Sequence, residues 1–170
     1  MDSRETASAY SADTSALIDL HRLYPKTTFP GVWERLEALI TDGRLIVARE
    51  VLEELAQKDD DLLRWARQQS NFVVPWTQEL LDSAQSIVVA FPGLVDPEKS
   101  VADADPFVIA AAELSRDTGG PDLFGRELDW CVLTSERSPR GVRIPTVCTA
   151  YGVRCVDIRE LFQMERWEFR

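Results

Sequence analysis

The chain contains one histidine, His21, and three cysteines, Cys131, Cys148 and Cys155, with no CxxC pair among them. Zinc takes four nitrogen or sulfur ligands at close spacing, and these cysteines have only the distant His21 to join them, so a zinc site is not the expected reading. The cysteines read as buried free thiols of a reducing compartment. Ser–His or Cys–His catalysis would lean on His21 alone, which lies beside Arg22 on a predicted helix with no partner evident in the sequence. The glycines form neither a GxxxxGK[ST] phosphate loop nor a GxGxxG turn. A phospho-aspartyl hydrolase would want a second aspartate two residues after Asp13, where Ser15 stands.

Positive charge is also scarce. Nineteen Lys and Arg face 29 Asp and Glu, for a net charge of −10. This excludes broad, non-specific nucleic-acid binding, which needs a basic face. A nucleic-acid enzyme stays possible, because divalent cations and a local arginine cluster can supply the missing charge. The longest apolar runs, "SIVVAF" and "FVIAAA", are far too short to span a bilayer. The start, "MDSRETASAYS", is polar and acidic with no apolar signal region. The expectation is a soluble, cytoplasmic protein without a membrane partner.

With 170 residues, 45% of them hydrophobic, the chain can bury one ordinary core, and a single domain over residues 1–170 is expected. Short apolar runs alternate with helical patterns, which implies an α/β fold with a parallel sheet. Strands are expected over about 8–13, 44–48, 72–74, 130–136 and 153–156. Helices are expected over about 15–23, 31–41, 49–57, 59–69, from a Thr77 cap to about 91, from an Asp105 cap to about 118, and from Pro145 to Gly152. A last helix is expected to contain Leu161, Phe162 and Trp167. Trp33, Trp65 and Trp76 are expected to be exposed, serving an interface, such as that of a homodimer, as readily as a core.

Four carboxylates take special places in this layout. Asp13 ends the first strand, Glu54 lies in the helix after the second, Asp105 opens the helix before the fourth strand, and Glu136 follows that strand. In open α/β sheets the functional crevice lies beyond the carboxyl ends of strands, where strand order reverses. Carboxylates without histidine or cysteine describe a hard-cation site suited to Mg²⁺ or Mn²⁺. Each acid also has a structural reading. Asp13 and Asp105 can be helix caps, Glu53 and Glu54 solvated helix residues, and Glu136 a loop residue. Glu53 and Glu54 are about 100° apart on a helix, so only one can face a crevice squarely; Glu54 is the expected one. Asp103 reads as a further ligand or as loop polarity. Arg137, Arg140 and Arg143, in "ERSPRGVR", are the nearest phosphate contacts or else a solvated loop.

The stretches "SADTSALID", "IVAREVLEEL", "DADPFVIAAAEL" and "DWCVLTSE" resemble, in order and spacing, the PIN domain of the bacterial toxin ribonucleases of toxin–antitoxin pairs. "RIPTVCTAYGVRCVDIRELF" is similar to the end of a less-characterised branch of that family. The resemblance covers about residues 10 to 165. It implies one PIN-like domain with a five-stranded parallel sheet in order 3-2-1-4-5, flanked by helices. It implies a metal-dependent endoribonuclease in which Asp13, Glu54, Asp105 and Glu136 gather around Mg²⁺ or Mn²⁺. RNA is the implied substrate and an antitoxin the implied protein partner. The competing expectation is a catalytically silent binding module on the same fold, whose acidic crevice receives basic segments of a partner.

Overall fold

The computed structural model describes residues 5–137 and 141–169. The chain runs β1 (Thr6–Ala12), α1 (Thr14–Leu23), α2 (Pro30–Thr41), β2 (Leu45–Ile46), α3 (Arg49–Lys58), α4 (Asp60–Arg67) and α5 (Gln78–Ala90). A 3₁₀ turn (Pro92–Leu94) follows, then α6 (Asp105–Thr118), β3 (Glu127–Leu133), α7 (Ile144–Tyr151), β4 (Arg154–Val156) and α8 (Ile158–Met164). The strands form one parallel sheet in the order β2-β1-β3-β4.

The sheet is an interior one. Ala9, Tyr10, Ser11 and Ala12 are consecutive and all buried. Successive strand residues point to opposite faces, so both faces of β1 are covered, as parallel sheets require. Helices flank it, and the alanine-rich stretch of α6 lies in the same hydrophobic core as β1 and β3. Among the described residues, no helix is long and apolar enough to cross a membrane.

The expected fifth strand at 72–74 is not formed. Only Val73 bridges Val47, secured by Val47 N–H to Phe72 O (2.9 Å) and Val74 N–H to Val47 O (2.9 Å). Asn71 has a positive φ of 61° and Pro75 has no N–H, so the segment cannot extend in either direction as a ladder. Among the described residues the sheet has four strands, not five.

Three smaller expectations change. Trp33 and Trp65 are buried, their rings crossing edge-on at 4.8 Å, so only Trp76 of the three is exposed. The last helix ends at Met164; Trp167 lies beyond it, against Phe162 at 5.3 Å. His21 does have a partner, the Asp59 carboxylate at 2.7 Å from Nδ1.

Topology fixes where a site can form. From β1 the chain crosses to β2 on one side, and β3 later docks on the other side. Strand order therefore reverses between β1 and β3, and the crevice expected at such a point lies beyond their carboxyl ends. The register Ala12↔Leu133 puts Asp13 beside Thr134 there.

Candidate functional site

Asp13 is the first residue past β1 and occupies the N-cap position of α1, yet its side chain makes no capping hydrogen bond. Its Oδ2 instead accepts from two hydroxyls, Ser15 Oγ (2.5 Å) and Thr134 Oγ1 (3.0 Å). Backbone bonds hold this arrangement: Asp13 N–H reaches Leu133 O (2.8 Å), and Ser135 N–H reaches Ser15 Oγ (3.1 Å). Asp13 is buried, and no cation pairs with it among the described residues. Burial raises its pKa, the two hydroxyls oppose that rise, and the negative charges of Glu136 and Glu54 add to it. The neighbouring Thr14 hydroxyl is buried and has no hydrogen-bond partner among the described residues.

Asp105 is the first residue of α6, one position further in than the expected cap. Ala104 is the N-cap, so the Asp105 carboxylate is not used for capping. Ser11 Oγ on β1 donates to Val108 O (2.8 Å), which ties the first turn of α6 to the end of β1. The Asp105 pKa is pushed up to about 8, first by burial and then by Asp13, Glu136, Glu54 and Asp103. Its side chain has no hydrogen bond or ion pair among the described residues.

The two glutamates are engaged differently. Glu54 Oε1 accepts from Ala104 N–H at 3.1 Å, at the start of α6. Glu136 Oε2 accepts from Ile144 N–H at 3.1 Å, at the start of α7, while Arg143 Nη1 lies 3.5 Å from Oε1. Each carboxylate thus sits at the positive end of a helix, where negative charge is favoured. Glu53 turns away and pairs with Arg49 at 3.3 Å.

Asp13, Glu54, Asp105 and Glu136 all line one cleft of about 680 Å³. Arg143 lines it too. Arg137 is outside it, 82% exposed and 3.8 Å from Asp157, and Arg140 lies outside the described residues. Two further cleft residues escape a reading of the sequence, Lys58 and Lys99. Lys99 lies in an irregular segment whose sequence has no periodicity to place it. Lys58 ends α3, one helical turn beyond Glu54, and that spacing could have found it.

Oxygen-only donors suit Mg²⁺ or Mn²⁺ chemically. Among the described residues, however, no three Asp, Glu, His or Cys side chains stand together as a ready ligand set. The arrangement is a crowded acidic cleft in which, among the described residues, Asp13, Glu54, Asp96 and Asp105 have no ion-pair partner, and the carboxylates of Asp13 and Asp105 accept no backbone N–H either.

The model of a family described as a domain of unknown function (DUF4411) matches residues 10–169, and the chain belongs to that family. No curated protein matches the chain.

Proposed function

We propose that this DUF4411 member is a divalent-cation-dependent endoribonuclease, acting as the toxin of a toxin–antitoxin pair. One observation carries the reading. Asp13 and Asp105 converge, with no neutralising ion pair among the described residues, on a cleft beyond the carboxyl ends of β1 and β3. Maintaining a buried and a half-buried carboxylate near further acids is costly unless a cation joins them. The resemblance of the four acid-bearing segments to the PIN domain supports the same reading.

Asp13 and Asp105 would hold the ion, with Glu54 and Glu136 completing its surroundings. When bound, the ion would offset charge on the phosphoryl group and make a nearby water more acidic. Ser15 and Thr134 hold the Asp13 carboxylate in one orientation and favour its ionised form. Asp105, with a pKa of about 8, keeps a proton through much of the neutral range unless a cation draws it off. Glu54 and Glu136 fix the starts of α6 and α7 and so the walls of the cleft. Arg143 offers a guanidinium to substrate phosphate at the Glu136 side.

The experiment is incubation with single-stranded RNA and Mn²⁺, with and without chelator, beside the Asp13→Asn protein. Cleavage that needs the ion and Asp13 is expected. Chelator-resistant cleavage, or none, defeats the reading.

The net charge of −10 and the absence of a ready ligand set among the described residues favour a second reading, a silent binding module. Its cleft would take a partner's arginine or lysine. Such a protein binds a basic peptide in chelator and cuts no RNA.

A further inference from the structure

The segment 95–104, between the 3₁₀ turn and α6, has no regular structure, yet it forms one wall of the cleft through Asp96, Lys99 and Asp103. It is internally tied. Asp103 Oδ2 accepts from Asp96 N–H at 2.6 Å, and Asp96 Oδ1 accepts from Glu98 N–H at 3.0 Å. The Lys99 ammonium donates to Asp103 Oδ1. The Asp103 side chain is only 5% exposed, whereas that of Lys99 is 50% exposed. A buried carboxylate therefore anchors a half-exposed ammonium at the cleft. An ammonium has three donors, and this contact uses one.

Lys99 differs from the other cleft cations. Its anchor Asp103 is buried, whereas Glu136, 3.5 Å from Arg143, is 21% exposed, and Lys58 is exposed with no anchoring contact among the described residues. Lys99 lies within electrostatic reach of Glu54 and Asp105 as well as Asp103, and these acids raise its pKa, so it stays charged. A polyanion approaching a cleft of carboxylates meets repulsion. It needs a positive group already held in place inside.

We propose that Lys99, positioned by Asp103, contacts an RNA backbone phosphate on the wall of the cleft away from Arg143. The assignment rests on the nuclease reading and names the group that draws the substrate against the acids.

The test is fluorescence anisotropy of a labelled single-stranded oligouridine over a range of salt concentrations. It is run in chelator and also with Ca²⁺, a cation that satisfies oxygen ligands. Each phosphate contact to a single strand adds about 0.7 to the slope of log affinity against log salt. Lys99→Met should lower that slope by about 0.7 and weaken binding severalfold, and Lys99→Arg should keep it. Lys99→Met leaves the Asp103 carboxylate buried without its cation, which can disturb the segment. The Lys99→Met, Asp103→Asn double variant removes that problem and retains the wild-type net charge. It too should lose about 0.7 of the slope. A double variant with the wild-type slope overturns the inference, because the single variant's effect would then be one of net charge. Wild-type protein that cuts RNA with Mn²⁺, while Lys99→Met keeps the full slope, overturns the inference and spares the nuclease reading. Wild-type protein that neither binds nor cuts RNA overturns both.

Discussion

Thr134 donates a 3.0 Å hydrogen bond to Asp13, joining the residue after β3 to the residue after β1. The hydroxyl favours the ionised carboxylate. Thr134→Val should therefore raise the Asp13 pKa further and move the acidic limb of the nuclease pH profile upward. Cleavage rates measured across pH would show it. An unchanged profile would mean that Asp13 ionisation does not limit the reaction.

Asp13→Asn should reduce cleavage by about 100-fold or more, at least the loss that an outer partner of a metal site commonly causes. Its fold should survive, because the substitution removes a buried negative charge. Cleavage and thermal unfolding are to be read on the same preparation. A folded, fully active variant would exclude Asp13 as a ligand.

Glu53 and Glu54 should separate cleanly. Glu53 pairs with Arg49 at the surface, a contact of little energetic weight, so Glu53→Gln should leave activity within about twofold. Glu54 lines the cleft, and Glu54→Gln should reduce activity by more than about tenfold. The reverse order in a cleavage assay would put the wrong face of α3 in the cleft.

Asp105 predicts a stability trend in metal-free protein. Its pKa rises from the usual 3.8 to about 8 on folding. The proton is thus held more tightly in the folded state. The associated stability is complete below about pH 4 and is lost as pH climbs through 8. Asp13, also raised, acts in the same direction. Asp105→Asn should unfold at a higher temperature than the wild type in chelator, by a margin that widens from pH 5 to 8. For a chain of this size, about 1 kcal/mol corresponds to roughly 2–4 °C. Calorimetry across pH checks this, and a constant margin would contradict it.

The far end of the chain is held by a buried ion pair. Arg44 Nη2 reaches Glu165 Oε1 at 2.6 Å, and Tyr10 Oη donates to the same oxygen at 2.7 Å. Both charged side chains are 9% exposed. Removing one partner of such a pair commonly costs about 3–5 kcal/mol. Glu165→Gln should lower stability on that scale in denaturant titrations, and Tyr10→Phe should cost less. Equal, small losses would show that the pair carries no stability.

Local pattern was sufficient for most elements. The apolar spacing of "GVWERLEALIT" is a helix over 30–41, and Asp-Pro at 105–106 marks the start of α6, because caps and periodicity act over a few neighbouring residues. The carboxyl-end placement of Asp13 was legible for the same reason, whereas local pattern left Glu53 and Glu54 open and only the PIN-domain resemblance pointed to Glu54, the one that lines the cleft. Where interactions are long-range, the sequence was silent or misleading. The strand expected at 72–74 is a local exception: its neighbours, Pro75 and Asn71 with its positive φ, reduced it to a single bridge. Trp33 and Trp65 are buried against one another because α2 and α4 meet. His21 has a partner only because the fold brings Asp59 to it. The same holds for Lys99 and Asp103. Their four-residue spacing lies outside any helix, and the burial of Asp103 together with the ties inside segment 95–104 places the lysine in the acidic cleft. Sequence determined which segments could be helix or strand and which acids could end them, since those preferences are local. Packing of segments far apart in the chain decided which acids lost their water, which found backbone partners and which were left without a counter-charge.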